Sequence, residues 1–209
     1  MQHDASARRS ATGRLIFLIG PSGSGKDSLI DAAREQLVAA GVQIARRVIT
    51  RSAEAKGEAA HGVTAEQFEA LCAQGAFAMH WRANGLGYGI PLQVDQWLQA
   101  GRPVLVNGSR AYLSEARRRY PDLLPVLIDV KPQVLRERLL ARGRETAQEI
   151  EQRLARNSGL QAVADPSMHV LDNSTTLEAA VTRLFKLLHD EGVITGPDAP
   201  GTGPQKRIT

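Results

Sequence analysis

The stretch Gly20-Pro21-Ser22-Gly23-Ser24-Gly25-Lys26-Asp27-Ser28 decides the fold of this chain. It follows a short apolar run, Leu15 to Ile19, and leads into a helical pattern from Asp27 to Ala40. A glycine-rich turn ending in Gly-Lys between a strand and a helix is the context a nucleotide phosphate loop demands. The glycines let backbone N–H groups converge on phosphate oxygens, and the helix N-terminus adds partial positive charge. Lys26 then falls where it would bridge the β- and γ-phosphates of ATP, the expected phosphoryl donor. All nine residues from Gly20 to Ser28 are candidates for nucleotide binding. The competing reading is a glycine-rich turn that merely opens an ordinary helix.

One position departs from the usual pattern. Asp27 stands where a Ser or Thr hydroxyl normally helps hold magnesium. Two readings stay open: a carboxylate favoured by the helix dipole, or a metal ligand acting directly or through water. Ser28 offers a hydroxyl one residue later, but a helical rotation of ~100° per residue points it elsewhere.

Working outward, strand-like runs alternate with helical patterns, which argues for a parallel sheet flanked by helices. Ile44 to Thr50 reads as the next strand, and Thr64 with Gln67 reads as a capping box opening a helix through about Cys72. Phe77 to Trp81 reads as a strand, and Pro91 suits the first turn of a helix reaching Ala100. Val104 to Val106 and Val126 to Val130 suit buried strands, and Pro132 opens an arginine-rich helix ending near Arg142 and Gly143. A long amphipathic helix from Ala147 to about Val163, a strand at His169 to Leu171 and a helix at Leu177 to His189 complete the domain, residues 14–190. Polar residues 1–13 and the Gly- and Pro-rich residues 191–209 read as flexible tails.

A chain of 209 residues suits one α/β domain. With 43% apolar and 23% charged residues it reads as globular, not as disordered or fibrous. Its apolar runs fall far short of the roughly 20 residues a membrane helix needs, so no membrane partner is expected. A single cysteine, Cys72, and the lack of an apolar leader make a reducing cytoplasm the expected compartment. Cys72 itself reads as buried filler of a helix. The net charge of +4 fits an anionic partner, and aromatics at 4% leave few stacking platforms for nucleic acid, so a small anionic molecule is favoured. Nothing in the sequence indicates an oligomeric state.

Further motifs lie beyond the loop: Thr50-Arg51 with Gly57-Glu58, Trp81, Tyr88-Gly89, Arg142-Gly143 and Arg153-Leu154. Together they resemble the guanylate kinase group of P-loop kinases, from about Arg14 to Leu188. Closer still, Gly25-Lys26-Asp27-Ser28, His80-Trp81-Arg82-Ala83-Asn84-Gly85-Leu86 and Val106-Asn107-Gly108-Ser109-Arg110 resemble ribose 1,5-bisphosphate phosphokinases, bacterial phosphonate-catabolism kinases of that group. The resemblance implies a P-loop NTPase fold, a three-layer α/β structure with a parallel sheet and an arginine-rich lid at about 142–153. It also implies ATP with Mg2+, a sugar phosphate acceptor and phosphoribosyl diphosphate as product.

Departures from guanylate kinase bear on the acceptor. Ser52 to Lys56 holds no second arginine, and no tyrosine precedes Phe68, so that family's acceptor-phosphate clamp is incomplete. Its guanine-reading glutamate aligns with about His80, and its later acidic residue falls within Asn107-Gly108-Ser109. Each buried partner left unpaired would cost a base-reading site ~1 to 3 kcal/mol. The substrate-binding candidates are Arg51, Tyr88, Asn107, Ser109 and Arg110. Arg51 reads alternatively as a surface ion-pair partner, Tyr88 as a turn residue, and His80 and Trp81 as core packing. The catalytic candidates are Lys26 with the lid arginines Arg142 and Arg153, which would neutralise charge on the transferring group. An exposed pair of helices laced with Glu145, Glu149 and Glu151 is the plainer reading of that arginine density.

Overall fold

The computed structural model describes residues 13–50, 60–143, 145–160 and 165–195, the side chains of 156–160 excepted. The elements run β1 (Leu15–Ile19), α1 (Lys26–Ala39), β2 (Gln43–Ile44), β3 (Val48–Ile49), β4 (His61–Gly62) and α2 (Ala65–Ala73). They continue with β5 (Phe77–Ala83), β6 (Leu86–Pro91), α3 (Gln93–Gln99), β7 (Val104–Asn107), α4 (Leu113–Arg119) and β8 (Leu124–Asp129). Last come α5 (Pro132–Arg142), α6 (Ala147–Leu160), β9 (His169–Asp172) and α7 (Leu177–Asp190).

Strand β1 is the centre of the main sheet, in the order β2-β7-β1-β8-β9 with every pair parallel. All five of its residues are buried, and because strand side chains alternate, they feed two cores. Ile16 and Leu18 pack with α1, α5 and α7 through Leu29, Leu37, Leu135 and Leu184. Leu15, Phe17 and Ile19 pack on the other face with Met79, Trp81, Ile90 and Val94. The C-terminal end of β1 therefore opens at the middle of the sheet, where ligands of open α/β sheets collect.

A second sheet, β4-β3-β6-β5, is absent from the expected parallel architecture. Its β3–β4 pair is parallel, and the other pairs are antiparallel. Ile44 to Thr50 is thus not one strand. Gln43–Ile44 stays in the main sheet, the chain crosses over at Ala45-Arg46-Arg47, and Val48–Ile49 joins the second sheet. Strand β6 also runs through a Gly-Tyr-Gly sequence that reads locally as a turn. The glycines are required there by aromatic neighbours: a Cβ at Gly89 would meet the Phe77 ring at 2.5 Å, and one at Gly87 the Phe68 ring at 2.8 Å. Pro91 closes β6 and does not open a helix, which suits a residue with no N–H to donate.

The smaller expectations meet different outcomes. The Thr64–Gln67 capping box forms in both directions, whereas Cys72 is half-buried, not buried. Helix α6 is described to Leu160, and its expected end near Val163 lies outside the described residues. Residues 191–195 belong to the packed domain and not to a tail: the Glu191 carboxylate pairs with Arg14 at 3.0 Å, and Ile194 is 7% exposed in the core. At the other end Gly13 donates to the Leu98 carbonyl at 2.7 Å. Among the described residues no helix is long and apolar enough to cross a membrane.

The connection after β7 rests on a close approach, since a Cβ at Gly108 would stand 2.3 Å from the ring of fully buried Phe17. We expect Gly108→Ala to destabilise the domain by about 1–3 kcal/mol through overpacking. Urea unfolding checks this: the midpoint should fall while the slope stays constant.

Candidate active site

Helix α1 begins without a side-chain cap. Its N-cap is Gly25, at φ 85°, and among the described residues no side chain caps it, whereas α2 and α7 are capped by Thr64 and Thr176. The first-turn N–H groups of a 14-residue helix are left facing the loop, a ready anion site. Gly25 has no room for a side chain, because a Cβ would lie 2.7 Å from Asn173 Nδ2.

The loop is held from behind by α5 and by the turn after β9. Asn173, 2% exposed, donates through Nδ2 to the Ser24 carbonyl at 2.7 Å. Arg138 donates to the Asn173 carbonyl at 2.9 Å and to the Ser24 carbonyl at 3.4 Å. The Ser24 carbonyl is thereby held on the side of the loop that faces α5 and β9. Lys26 Nζ donates to the carbonyls of Gly20 at 2.7 Å and Pro21 at 3.1 Å, lying across the mouth of the loop. Burial lowers the Lys26 pKa to about 8, with Asp27 opposing the shift and the charges of Arg47 and Arg142 adding to it.

On the β7 side a polar chain links donor loop to second sheet. Asn107 ends β7, is 5% exposed, and donates through Nδ2 to Asp27 Oδ1 at 2.6 Å. Arg47 NH1 donates to the Asn107 carbonyl at 3.1 Å, and its NH2 lies 3.6 Å from Asp27 Oδ1. The Arg47 guanidinium covers the Tyr88 ring at 5.4 Å, and Tyr88 stacks on Trp81 at 5.7 Å. Ser109 precedes a short 3-10 turn begun by Arg110. Arg110 lines a cavity of about 720 Å3 with Gly20, Pro21, Asp129 and residues of α5 and α6.

The structure thus brings together Lys26, Asp27, Tyr88 and Asn107, with Arg110 across the loop. Ser28 and Ser22 are exposed, whereas Ser24 is fully buried. Arg142 is exposed at the end of α5, close enough for its charge to act on Lys26. Arg153 is bound instead to Glu145 at 2.5 Å, across the α5–α6 connection. Arg51 lies outside the described residues. His80 is exposed and Trp81 is 8% exposed, so of that pair only the tryptophan is core.

Sequence reading missed Arg47, Arg138 and Asn173 as functional positions. A signal for Arg47 existed: the doublet Arg46-Arg47 interrupts an apolar β-branched run, Val42 to Ile49, where no exposed turn was indicated. For Asn173 no local signal exists, because its partner Ser24 lies 149 residues away.

The phosphate loop on a five-stranded parallel sheet and the second sheet beside it define a P-loop phosphotransferase. The sequence model of the family described as guanylate kinase matches residues 12–191, and the chain belongs to that family. Within it, the chain is similar to ribose 1,5-bisphosphate phosphokinase PhnN of Pseudomonas paraeruginosa, 62% identical over 177 residues covering 85% of this chain and 96% of the relative. The enzyme of the same name from Azotobacter vinelandii is 61% identical over 176 residues, covering 84% and 96%. Among solved structures, guanylate kinase from Anaplasma phagocytophilum matches with a TM-score of 0.64 at 20% identity, covering 87% of each chain, which is a likeness of fold.

The lowered Lys26 pKa gives a binding signature. Phosphates raise the pKa of a neighbouring ammonium, so near pH 8 Lys26 should take up roughly half a proton on nucleotide binding, a contribution that fades below about pH 6.5, where the free lysine is already protonated. Calorimetry in buffers of differing ionisation heat measures the uptake, which should vanish in Lys26→Met.

Proposed function

We propose that the protein transfers the γ-phosphoryl group of ATP to the 1-phosphate of α-D-ribose 1,5-bisphosphate, giving 5-phospho-α-D-ribose 1-diphosphate and ADP. An oxygen of the 1-phosphate attacks the γ-phosphorus in line, the bond to the ADP oxygen breaks, and ADP leaves with that electron pair. No general base is required, because a phosphate dianion is already deprotonated near pH 7. The protein's task is to position two anions and offset their repulsion.

The observation that carries the acceptor assignment is the buried guanidinium of Arg47, set between the donor loop and Tyr88 of the second sheet. A fixed cation there suits a phosphorylated sugar better than the N–H edge of a base. The relatives named above, at 61% and 62% identity, support the same substrate. The cavity of about 720 Å3 beside Gly20 and Pro21 falls in the range of small-ligand sites and is lined by Arg110. In this reading Arg51, Tyr88, Asn107, Ser109 and Arg110 serve the acceptor, while the amides of Gly20 to Ser28 serve the nucleotide phosphates.

Magnesium, when bound, neutralises charge on the β- and γ-phosphates. An all-oxygen donor set fits this hard cation, and Asp27 offers a 40% exposed carboxylate at the start of α1. Lys26 holds its charge at the loop mouth, and release of its two carbonyl partners frees it for the transferring phosphate. Arg142 and Arg153 act from the lid, Arg153 by exchanging Glu145 for phosphate. An ATP-consuming reaction of small sugar phosphates belongs in the cytoplasm and needs no nucleic acid or membrane.

With both acceptors at matched concentrations, ribose 1,5-bisphosphate should be favoured over GMP by at least ~100-fold in kcat/KM, equivalent to ~2.7 kcal/mol. Phosphorus NMR identifies the product, and a better rate with GMP overturns the assignment. Arg142→Ala and Arg153→Ala should lower kcat more than they weaken ATP binding, since lid cations matter most as charge redistributes. Losses confined to KM would indicate ground-state binding alone.

A further inference from the structure

Phosphate-loop NTPases hold magnesium with a Ser or Thr hydroxyl after the loop lysine and an aspartate carried by a strand. Here the residue after Lys26 is Asp27, and the strand β7, paired with β1 through Leu18 and Asn107, ends in an amide. We infer that Asp27 and Asn107 are a charge-exchanged magnesium pair, in which the carboxylate has moved from the strand to the loop and the neutral partner from the loop to the strand. The inference rests on the phosphotransferase reading above and deepens it.

Three observations carry it. Asn107 Nδ2 donates to Asp27 Oδ1 at 2.6 Å, so the two side chains already form the loop-to-strand contact. The hydrogen bond from Asn107 and the ion pair from Arg47 both fall on Oδ1, while 40% of the Asp27 side chain stays exposed. Asn107 is only 5% exposed, yet its Oδ1 has no hydrogen-bond partner among the described residues. A buried amide fixed by one edge and unsatisfied at the other is suited to orient a ligated carboxylate and to accept from a metal-bound water.

Charge explains why the exchange is reciprocal. A carboxylate at both positions would bring two negative groups into direct contact, and one would be held protonated. With Asp27 on the loop, the strand partner has to be neutral and has to donate, and asparagine does both. The arrangement also places a full negative charge beside the nucleotide polyanion, partly offset by Arg47. Nucleotide without metal is therefore repelled more strongly than in an enzyme with a hydroxyl at this position, and metal dependence is steeper.

Asp129 is the rival carboxylate, because it ends β8 on the other side of β1 and lines the cavity with Gly20 and Pro21. The test separates the two. Mn2+ binding to the full-length protein, followed by its EPR signal with a non-hydrolysable ATP analogue present, is compared in Asp27→Ser, Asp27→Asn, Asn107→Asp, Asp129→Asn and the double variant Asp27→Ser/Asn107→Asp. Each single change within the pair should weaken Mn2+ about 10- to 100-fold. The double variant should recover to within about 3-fold of wild type, the non-additivity expected of one contact. Metal-free analogue binding should be unchanged or tighter in Asp27→Ser, a result that an unfolded variant cannot give. Additive losses in the double variant, unaltered Mn2+ affinity in both Asp27 variants, or a larger loss in Asp129→Asn than in Asp27→Asn overturns the pair alone. A wild-type protein that binds no nucleotide with or without metal overturns the phosphotransferase reading as well.

Discussion

The amides at the start of α1 have to be kept free of protein partners, and much of the surrounding structure follows from that constraint. Helices α2 and α7 satisfy a first amide with a threonine cap, while α3, α4 and α5, like α1, make no such bond. Helix α1 has glycine instead, and the loop that precedes it is held from behind. Asn173 and Arg138 bind the Ser24 carbonyl, and both come from elements distant in sequence. Three buried side-chain atoms near this point, Ser24 Oγ, Asn107 Oδ1 and Asn173 Oδ1, have no hydrogen-bond partner among the described residues. Each such group costs about 1–3 kcal/mol when left unpaired.

Arg47 ties this donor region to the second sheet. Its side chain is 10% exposed and meets Asp27, the Asn107 carbonyl and Tyr88. A guanidinium can do this because its planar fork bonds edge-on while its face stacks on an aromatic ring. The break in the strand at Ala45-Arg46-Arg47 thus has a role beyond changing sheets. It carries a cation into the junction between the loop and the second sheet. The lid is built differently. Arg142 and Arg153 flank a short connection closed by αL Gly143, and Arg153 is neutralised by Glu145. That pair is half-buried, its side chains 26% and 21% exposed.

How much of this was legible in the sequence depends on the range of the interactions. The phosphate loop, the α2 capping box, Pro132 at the start of α5 and Gly143 at its end could all be read, because each is fixed by contacts within a few residues. The strands β1, β7 and β8 were legible as apolar runs, since a strand covered on both faces leaves no polar alternation to obscure it. The parallel sheet followed from their alternation with helices.

Tertiary structure alone decided the rest. Strand β6 was hidden because Gly87 and Gly89 look like turn residues until Phe68 and Phe77 are seen to occupy the space their side chains would need. The division of Ile44 to Thr50 between two sheets depends on partners at Leu105, His61 and Tyr88, none of which is local. Asp27 was visible as an irregular residue after the loop lysine, but its contact with Asn107, 80 residues away, was not. Sequence by itself determined the loop, the sheet that carries it and the class of chemistry, because these rest on backbone geometry and local pattern. Only the fold decided which charges face one another across the site, because Coulomb interactions depend on distance in space and take no account of distance along the chain.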